Sequence, residues 1–138
     1  MFARKRRYHQ RLGRAGENAA CKLLENSGME ILARNWKCRA GELDIVALDG
    51  EFLVFVEVKT TRYRPGFTPS GNLSYHQRRR NYHAAKAYFR IHDITGHPGR
   101  FDLVEVSYKN RFVSRIVRHG DYLPQLPARE VKTDAFPG

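Results

Sequence analysis

Three residues near the middle of the chain could do chemistry together: Asp44, Glu57 and Lys59. Asp44 sits in the run Glu42-Leu43-Asp44-Ile45-Val46-Ala47-Leu48, and the other two close the run Glu51-Phe52-Leu53-Val54-Phe55-Val56-Glu57-Val58-Lys59. Asp49-Gly50 lies between the runs, and two β-rich segments around Asp-Gly predict a hairpin. Residues two apart in a strand share a face, so Glu57 and Lys59 point the way Leu53 and Phe55 do, with Val54, Val56 and Val58 opposite. Both faces begin apolar, as in a central strand covered on both sides, and the two charges continue one of them. Charges in such a place need partners.

The turn supplies a partner. With Asp49-Gly50 as a two-residue turn, Leu48 pairs with Glu51, Glu42 faces Glu57, and Asp44 faces Phe55. Asp44 is then a diagonal neighbour of Glu57, roughly 7–8 Å away at the backbone. The carboxylates of Glu42, Asp44 and Glu57 converge beside the Lys59 ammonium and repel one another unless a cation or a proton intervenes. A divalent ion with oxygen ligands at about 2.1 Å resolves this, and Mg2+ or Mn2+ suits carboxylates plus water. Held by Asp44 and Glu57, it can polarise a phosphodiester and acidify a bound water. Lys59 can position that water or stabilise charge in the transition state. The plainer reading is an exposed Glu–Lys pair on a strand, worth little. Leu53 and Phe55 on the same face, and an Asp one hairpin away, weigh against it.

The elements that must position these residues follow from periodicity. Leu12, Ala15, Ala19, Leu23 and Leu24 fall at helical spacing between about Gln10 and Asn26, and Gly28 is a plausible stop. Glu17 lies on the flank of that stripe. Met29 to Trp36 reads as a strand, followed by the hairpin and then a Pro- and Gly-containing loop from Tyr63 to Ser74. A second helix is expected from about Tyr75 to His92, with Tyr82, Ala85 and Phe89 on one face. Phe101 to Tyr108 and Arg111 to Arg118 alternate as strands around Lys109-Asn110. The order α, β, β, β, α, β, β predicts an α/β fold, a mixed sheet of about five strands with a helix on each side.

Composition narrows the partner. A chain of 138 residues with 25 Lys and Arg against 14 Asp and Glu carries a net charge of +11. Such an excess repels itself unless something anionic offsets it. Nucleic acid is the first expectation, DNA favoured, and an anionic membrane surface the second. The longest apolar run, Phe52 to Val56, is far short of the ~20 residues of a membrane span. No apolar stretch follows the basic start MFARKRRYHQRLG, which argues against a secretory signal. Cys21 and Cys38 match no zinc-ligand spacing and make no disulfide framework, so a reducing cytoplasm is expected. Domain organisation is read as a basic arm over residues 1–10, one domain over 11–120, and a loosely structured tail over 121–138.

An Asp, a hairpin turn and then Glu-x-Lys resembles the PD-(D/E)xK nucleases, the restriction-endonuclease-like superfamily. The likeness narrows with Arg14-Ala-Gly-Glu17, Ala33-Arg-Asn-Trp36, Gly41-Glu-Leu-Asp44, Val54-Phe-Val-Glu-Val-Lys59 and Arg100-Phe-Asp102, which together resemble the YraN-like family of small bacterial proteins. That family is similar to archaeal Holliday-junction resolvases, whose sites use a first-helix Glu, an Asp and a Glu-x-Lys. The resemblance implies a metal-dependent endonuclease on branched or single-stranded DNA, with Glu17 as a further catalytic carboxylate, and a homodimer. Leu43 stands where the superfamily pattern has Pro, which leaves the strand geometry intact. The helix after Glu-x-Lys usually offers a Lys, and here Gln77-Arg78-Arg79-Arg80 occupies that stretch. Arg stays protonated and grips phosphate rather than exchanging protons. The expected nucleic-acid contacts are Arg14, Arg62, Arg78, Arg79 and Arg80.

Other residues carry weaker signals. His76 and His83 share a helix face but lack a third zinc ligand. Tyr63, Phe67 and Tyr75 stand near basic residues and could stack on bases, although packing is the commoner use. Asp102 reads as one half of a structural ion pair. The alternatives to an endonuclease are a nucleic-acid-binding module on the same fold without turnover, and a structural partner of a larger assembly.

Overall fold

The structure is a computed structural model, which describes residues 2–66 and 73–120, and side chains from Gln10 onward. The expected C-terminal tail and half of the Tyr63–Ser74 loop, Phe67 included, lie outside the described residues. In chain order the elements are α1 (Phe2–Asn26), β1 (Glu30–Cys38), β2 (Gly41–Asp49), β3 (Phe52–Arg62), α2 (Tyr75–Ile91), β4 (Gly99–Lys109) and β5 (Phe112–His119). They form an α/β fold around one five-stranded sheet in the order β1-β2-β3-β4-β5. Only β3 and β4 run parallel, joined through α2, and the other neighbours are antiparallel.

The helix expected from Gln10 starts at Phe2. Arg4, Lys5, Arg6 and Arg7 are good helix formers, so the basic stretch continues α1 backwards. Gly28, at φ +92°, ends it. Its amide donates to the Glu25 carbonyl and that of Met29 to the Leu24 carbonyl, the paired bonds of a Schellman cap. α2 opens on Ser74, whose hydroxyl accepts from the Gln77 amide while the Gln77 side chain reaches back to the Ser74 amide.

Each helix covers one sheet face. Ala20, Cys21 and Leu24 of α1 pack with Ile45, Ala47, Val54, Val56, Val104 and Val106. Tyr82, Ala85, Tyr88 and Phe89 of α2 pack with Val46, Leu53, Phe55 and Phe101. The central strand β3 is apolar on both faces because both are covered.

Helix α1 crosses β3 closely at Gly16, where an added methyl group would overlap the Thr60 hydroxyl and lie 3.3 Å from Thr60 Cβ. Gly16→Ala is therefore expected to destabilise the fold by about 1–3 kcal/mol, against the usual gain from Gly→Ala in a helix. Combining it with Thr60→Ala should recover part of the loss. A denaturant midpoint for the single and double variants checks both effects.

On the α1 side, Asp102 is fully buried and tied to two guanidinium groups. Arg100 Nε donates at 3.0 Å and Arg118 at 3.3 Å, and Arg100 also reaches Asp49 at 3.0 Å. This network links the β2–β3 hairpin to β4 and β5, and Asp102 has the structural role read from its sequence position.

Candidate active site

The hairpin that carries the acidic residues has a different register from the one expected. Asp49 pairs with Phe52, so the two-residue loop is Gly50-Glu51. Gly50 alone takes a left-handed φ, +58°, which matches the turn type with glycine in its first position. The expected Asp49-Gly50 turn would have put the Asp side chain in that left-handed position. The shift is two residues, which preserves the faces but brings Asp44 level with Glu57 instead of Phe55.

The β2–β3 ladder stops at Ile45–Val56, while β2 stays paired with β1 as far as Gly41. The two central strands thus part at the acidic residues. Asp44 fills the breach: its Oδ2 accepts from the Val58 backbone N–H at 2.8 Å. Alternation along β2 also breaks here. Leu43 and Val46 both pack on the α2 side, while Ile45 and Ala47 pack on the α1 side. On β1, Asn35 opposite this kink has a left-handed φ of +51°. Irregularities of this kind re-aim side chains beside functional sites. The kink lets Asp44 meet residues from both sides of the sheet.

Glu57 comes from β3 on the α2 side and meets Asp44 in a side-chain hydrogen bond. Burial raises Glu57 to about 8, followed by the negative charge of Asp44, while the Asn81 amide donates to it and opposes the shift. Burial also raises Asp44 to about 6, opposed by the Val58 N–H and reinforced by the charges of Glu17 and Glu42. Two carboxyl groups this close cannot both ionise without a counter-charge.

Glu17 reaches the group from α1 and is felt by Asp44 as a negative charge. Its own carboxylate accepts from Asn35 Nδ2 at 3.0 Å and lies 3.7 Å from Arg34. Glu42, Asp44 and Glu57 line an open cleft of about 520 Å³, closed on its other wall by Gln77, Arg80 and Asn81 of α2 and by Lys37 and Cys38 of β1. Arg80 is shared with a second groove lined by Ala40, His76, Arg79 and His83.

The structure therefore brings Asp44, Glu57, Glu42, Glu17 and Arg80 together and sets Arg79 next door. Lys59 continues the face of Glu57 but is exposed and sits beside Glu105 in β4, outside the cleft lining. Arg78 turns inward, where Nη1 donates to the Leu73 carbonyl at 2.8 Å. Arg14 and Arg62 are exposed on α1 and at the end of β3. The motif reading passed over Asn81 and Gln77. Their signal was present: these two amides occupy the turns that continue the apolar stripe of Tyr88, Ala85 and Ala84 towards the helix start, where a polar group needs a polar partner.

Among the described residues, no three acidic, His or Cys side chains form a metal cage of their own. Two oxygen donors with an excess of negative charge still fit Mg2+ or Mn2+, which are commonly held by one or two carboxylates with water and substrate phosphate completing the shell. No described helix is long and apolar enough to cross a membrane.

A family model described as "Uncharacterised protein family UPF0102" matches residues 16–106, a span that begins at α1 and ends in β4 and so contains Glu17, Asp44, Glu57 and Asn81. The chain belongs to this family. UPF0102, the YraN-like family, lies within the restriction-endonuclease-like nuclease superfamily. A UPF0102 protein of Streptomyces griseus is 62% identical over 56 residues, covering 41% of this chain and 46% of that protein. One from Nocardia farcinica is 42% identical over 97 residues, 70% of this chain and 76% of the relative. One from Roseiflexus castenholzii is 39% identical over 113 residues, 81% and 91% of the two chains. Membership in UPF0102 supports, at the level of the family, a nuclease-like nucleic-acid-binding protein.

Proposed function

We propose that this protein is a Mg2+- or Mn2+-dependent endonuclease that hydrolyses phosphodiester bonds in branched or single-stranded DNA. The observation that carries the reading is the carboxyl pair of Asp44 and Glu57, pressed together in the breach between β2 and β3 and opening onto a cleft with Arg80 on its opposite wall. Asp44 and Glu57 would hold the ion. A divalent cation there supplies polarisation of the phosphodiester and acidification of a water nucleophile.

The chain's own groups do the rest. Val58 N–H and the Asn81 amide fix the two carboxylates by hydrogen bonds, so little reorganisation is needed when charge develops. Glu17 adds a third negative charge near Asp44 and is positioned by Asn35. Arg80 faces the acids across the cleft and can grip the phosphate, with Arg79, His76 and His83 extending the basic wall along α2. Lys59, on the face of Glu57 and outside the lining, is suited to charge stabilisation from the substrate side.

Labelled branched, single-stranded and duplex DNAs, incubated with Mg2+ or Mn2+ and with EDTA, test this. Products that form only with metal, and chiefly from branched or unpaired substrates, are expected. Salt-sensitive binding with no cleavage under any metal would favour the alternative, a binding module on a nuclease-like fold.

A further inference from the structure

The far end of β3 carries a second feature on the sheet face of Glu57. Thr61 pairs with Ser107, and their hydroxyls meet at 3.4 Å, so this face continues across β3 and β4. One row further, Tyr63 N–H donates to the Tyr108 carbonyl, and Lys109 Nζ lies 5.6 Å from the centroid of the Tyr63 ring. Lys109 in turn pairs with Phe112 of β5. Tyr63, Lys109 and Phe112 thus form a row across three strands, the outer rings roughly 10 Å apart by strand spacing.

This row is exposed. Phe112 is 77% accessible, the most exposed large apolar residue described, and Tyr63 is 39% accessible. On this face Lys109 stands between the two rings and Arg115 is in register with Ser107 one row back, while Arg62, paired with Tyr108, turns to the opposite face and adds positive charge at this end of the sheet. Exposed aromatic rings with Lys109 between them and Arg115 beside them suit neither a hydrophobic core nor a plain solvated hairpin. They suit a nucleic-acid strand with accessible bases, which stack on aromatics while cations meet the phosphates. A duplex offers its phosphates but keeps its base faces covered.

We propose that Phe112, with Tyr63 beside it and Lys109 and Arg115 at the phosphates, is a stacking platform for an unpaired base. Tyr63, just past the end of β3, lies six residue steps from Glu57, roughly 20 Å along the strand. At about 3.4 Å per stacked nucleotide, and up to about twice that when extended, the platform sits some three to six nucleotides from the carboxyl pair. The proposal rests on the endonuclease reading and gives its substrate class: strands with unpaired bases close to the cut, rather than continuous duplex.

The test is binding in EDTA, which separates it from cleavage. Fluorescence anisotropy with a single-stranded 12-mer and a 12-base-pair duplex is measured for wild type, Phe112→Ala and Phe112→Trp. The expected result is a loss of about 5- to 100-fold for the single strand in Phe112→Ala, recovery in Phe112→Trp, and less than a twofold change for the duplex. An oligonucleotide carrying 2-aminopurine should show quenching that the Ala variant loses. Equal weakening for both DNAs, or no weakening, overturns the platform. So does a change confined to sedimentation behaviour, which would make Phe112 a self-association contact. Cleavage by wild type alongside such a negative result would leave the endonuclease reading standing without the platform.

Discussion

Glu57→Gln is expected to abolish metal-dependent cleavage while making the metal-free protein more stable. The loss of activity should be about 10³-fold or more, equivalent to ~4 kcal/mol of barrier, because Gln retains the shape but not the charge that holds the ion. The stability gain follows from the raised titration of Glu57. Its folded value, about 8, lies well above its ordinary 4.5. Between those values the folded state binds the proton that the unfolded state has released, so stability falls as pH rises and the full penalty stands above pH 8. Asp44, at about 6, adds to the same slope at its lower end. Gln cannot ionise, so the variant should melt about 5–10 °C higher than wild type at pH 8, with the gap closing towards pH 5. Mn2+ should raise the wild-type melting temperature more at pH 8 than at pH 6 and leave the variant almost unmoved. Thermal scans across pH, with and without metal, check all three effects. A variant that melts lower than wild type at pH 8 would contradict the raised titration of Glu57.

Asp102→Ala is expected to be the most destabilising of the substitutions considered. Its carboxylate is fully buried and accepts from Arg100 and Arg118. Removing one member of a buried ionic network leaves the others short of a counter-charge, at about 3 kcal/mol or more. Arg100 retains Asp49, which keeps the loss nearer that figure than the upper limit. A melting-temperature drop on the order of 10 °C is expected. Asp102→Asn should fall between, because it preserves the packing and some hydrogen bonding. Neither change should alter metal dependence in protein that remains folded, since Asp102 lies on the other side of the sheet from the cleft. Urea midpoints and cleavage rates for the two variants separate the effects.

The elements were legible because each has a local cause. Helix α2 was placed to within a residue or so, since its apolar spacing and its boundaries agree. The strands follow from alternation and from the turn signals between them, although both turns lie one residue further along than expected, at Gly50-Glu51 rather than Asp49-Gly50 and at Asn110-Arg111 rather than Lys109-Asn110. The acidic group was legible too, because Glu57 and Lys59 continue an apolar face. Its geometry was not. An Asp-Gly pair signals a hairpin without specifying which residue opens the turn, and the choice moved Asp44 from opposite Phe55 to beside Glu57. The kink at Asp44 depends on a left-handed Asn35 in the neighbouring strand, a tertiary circumstance that strand periodicity does not encode. Arg78 looked like its neighbours Arg79 and Arg80, yet its place on the helix turns it towards Leu73. Asn81 was hidden for the opposite reason: amides carry no motif, and only the partner across the cleft reveals the role.

The most direct test of the carboxyl pair is single-turnover cleavage of a branched DNA in Mn2+ at pH 8, comparing wild type with Glu57→Gln prepared in parallel. Product from wild type alone, suppressed by EDTA, is the expected result. Equal rates for the two proteins would contradict the assignment of catalysis to Asp44 and Glu57.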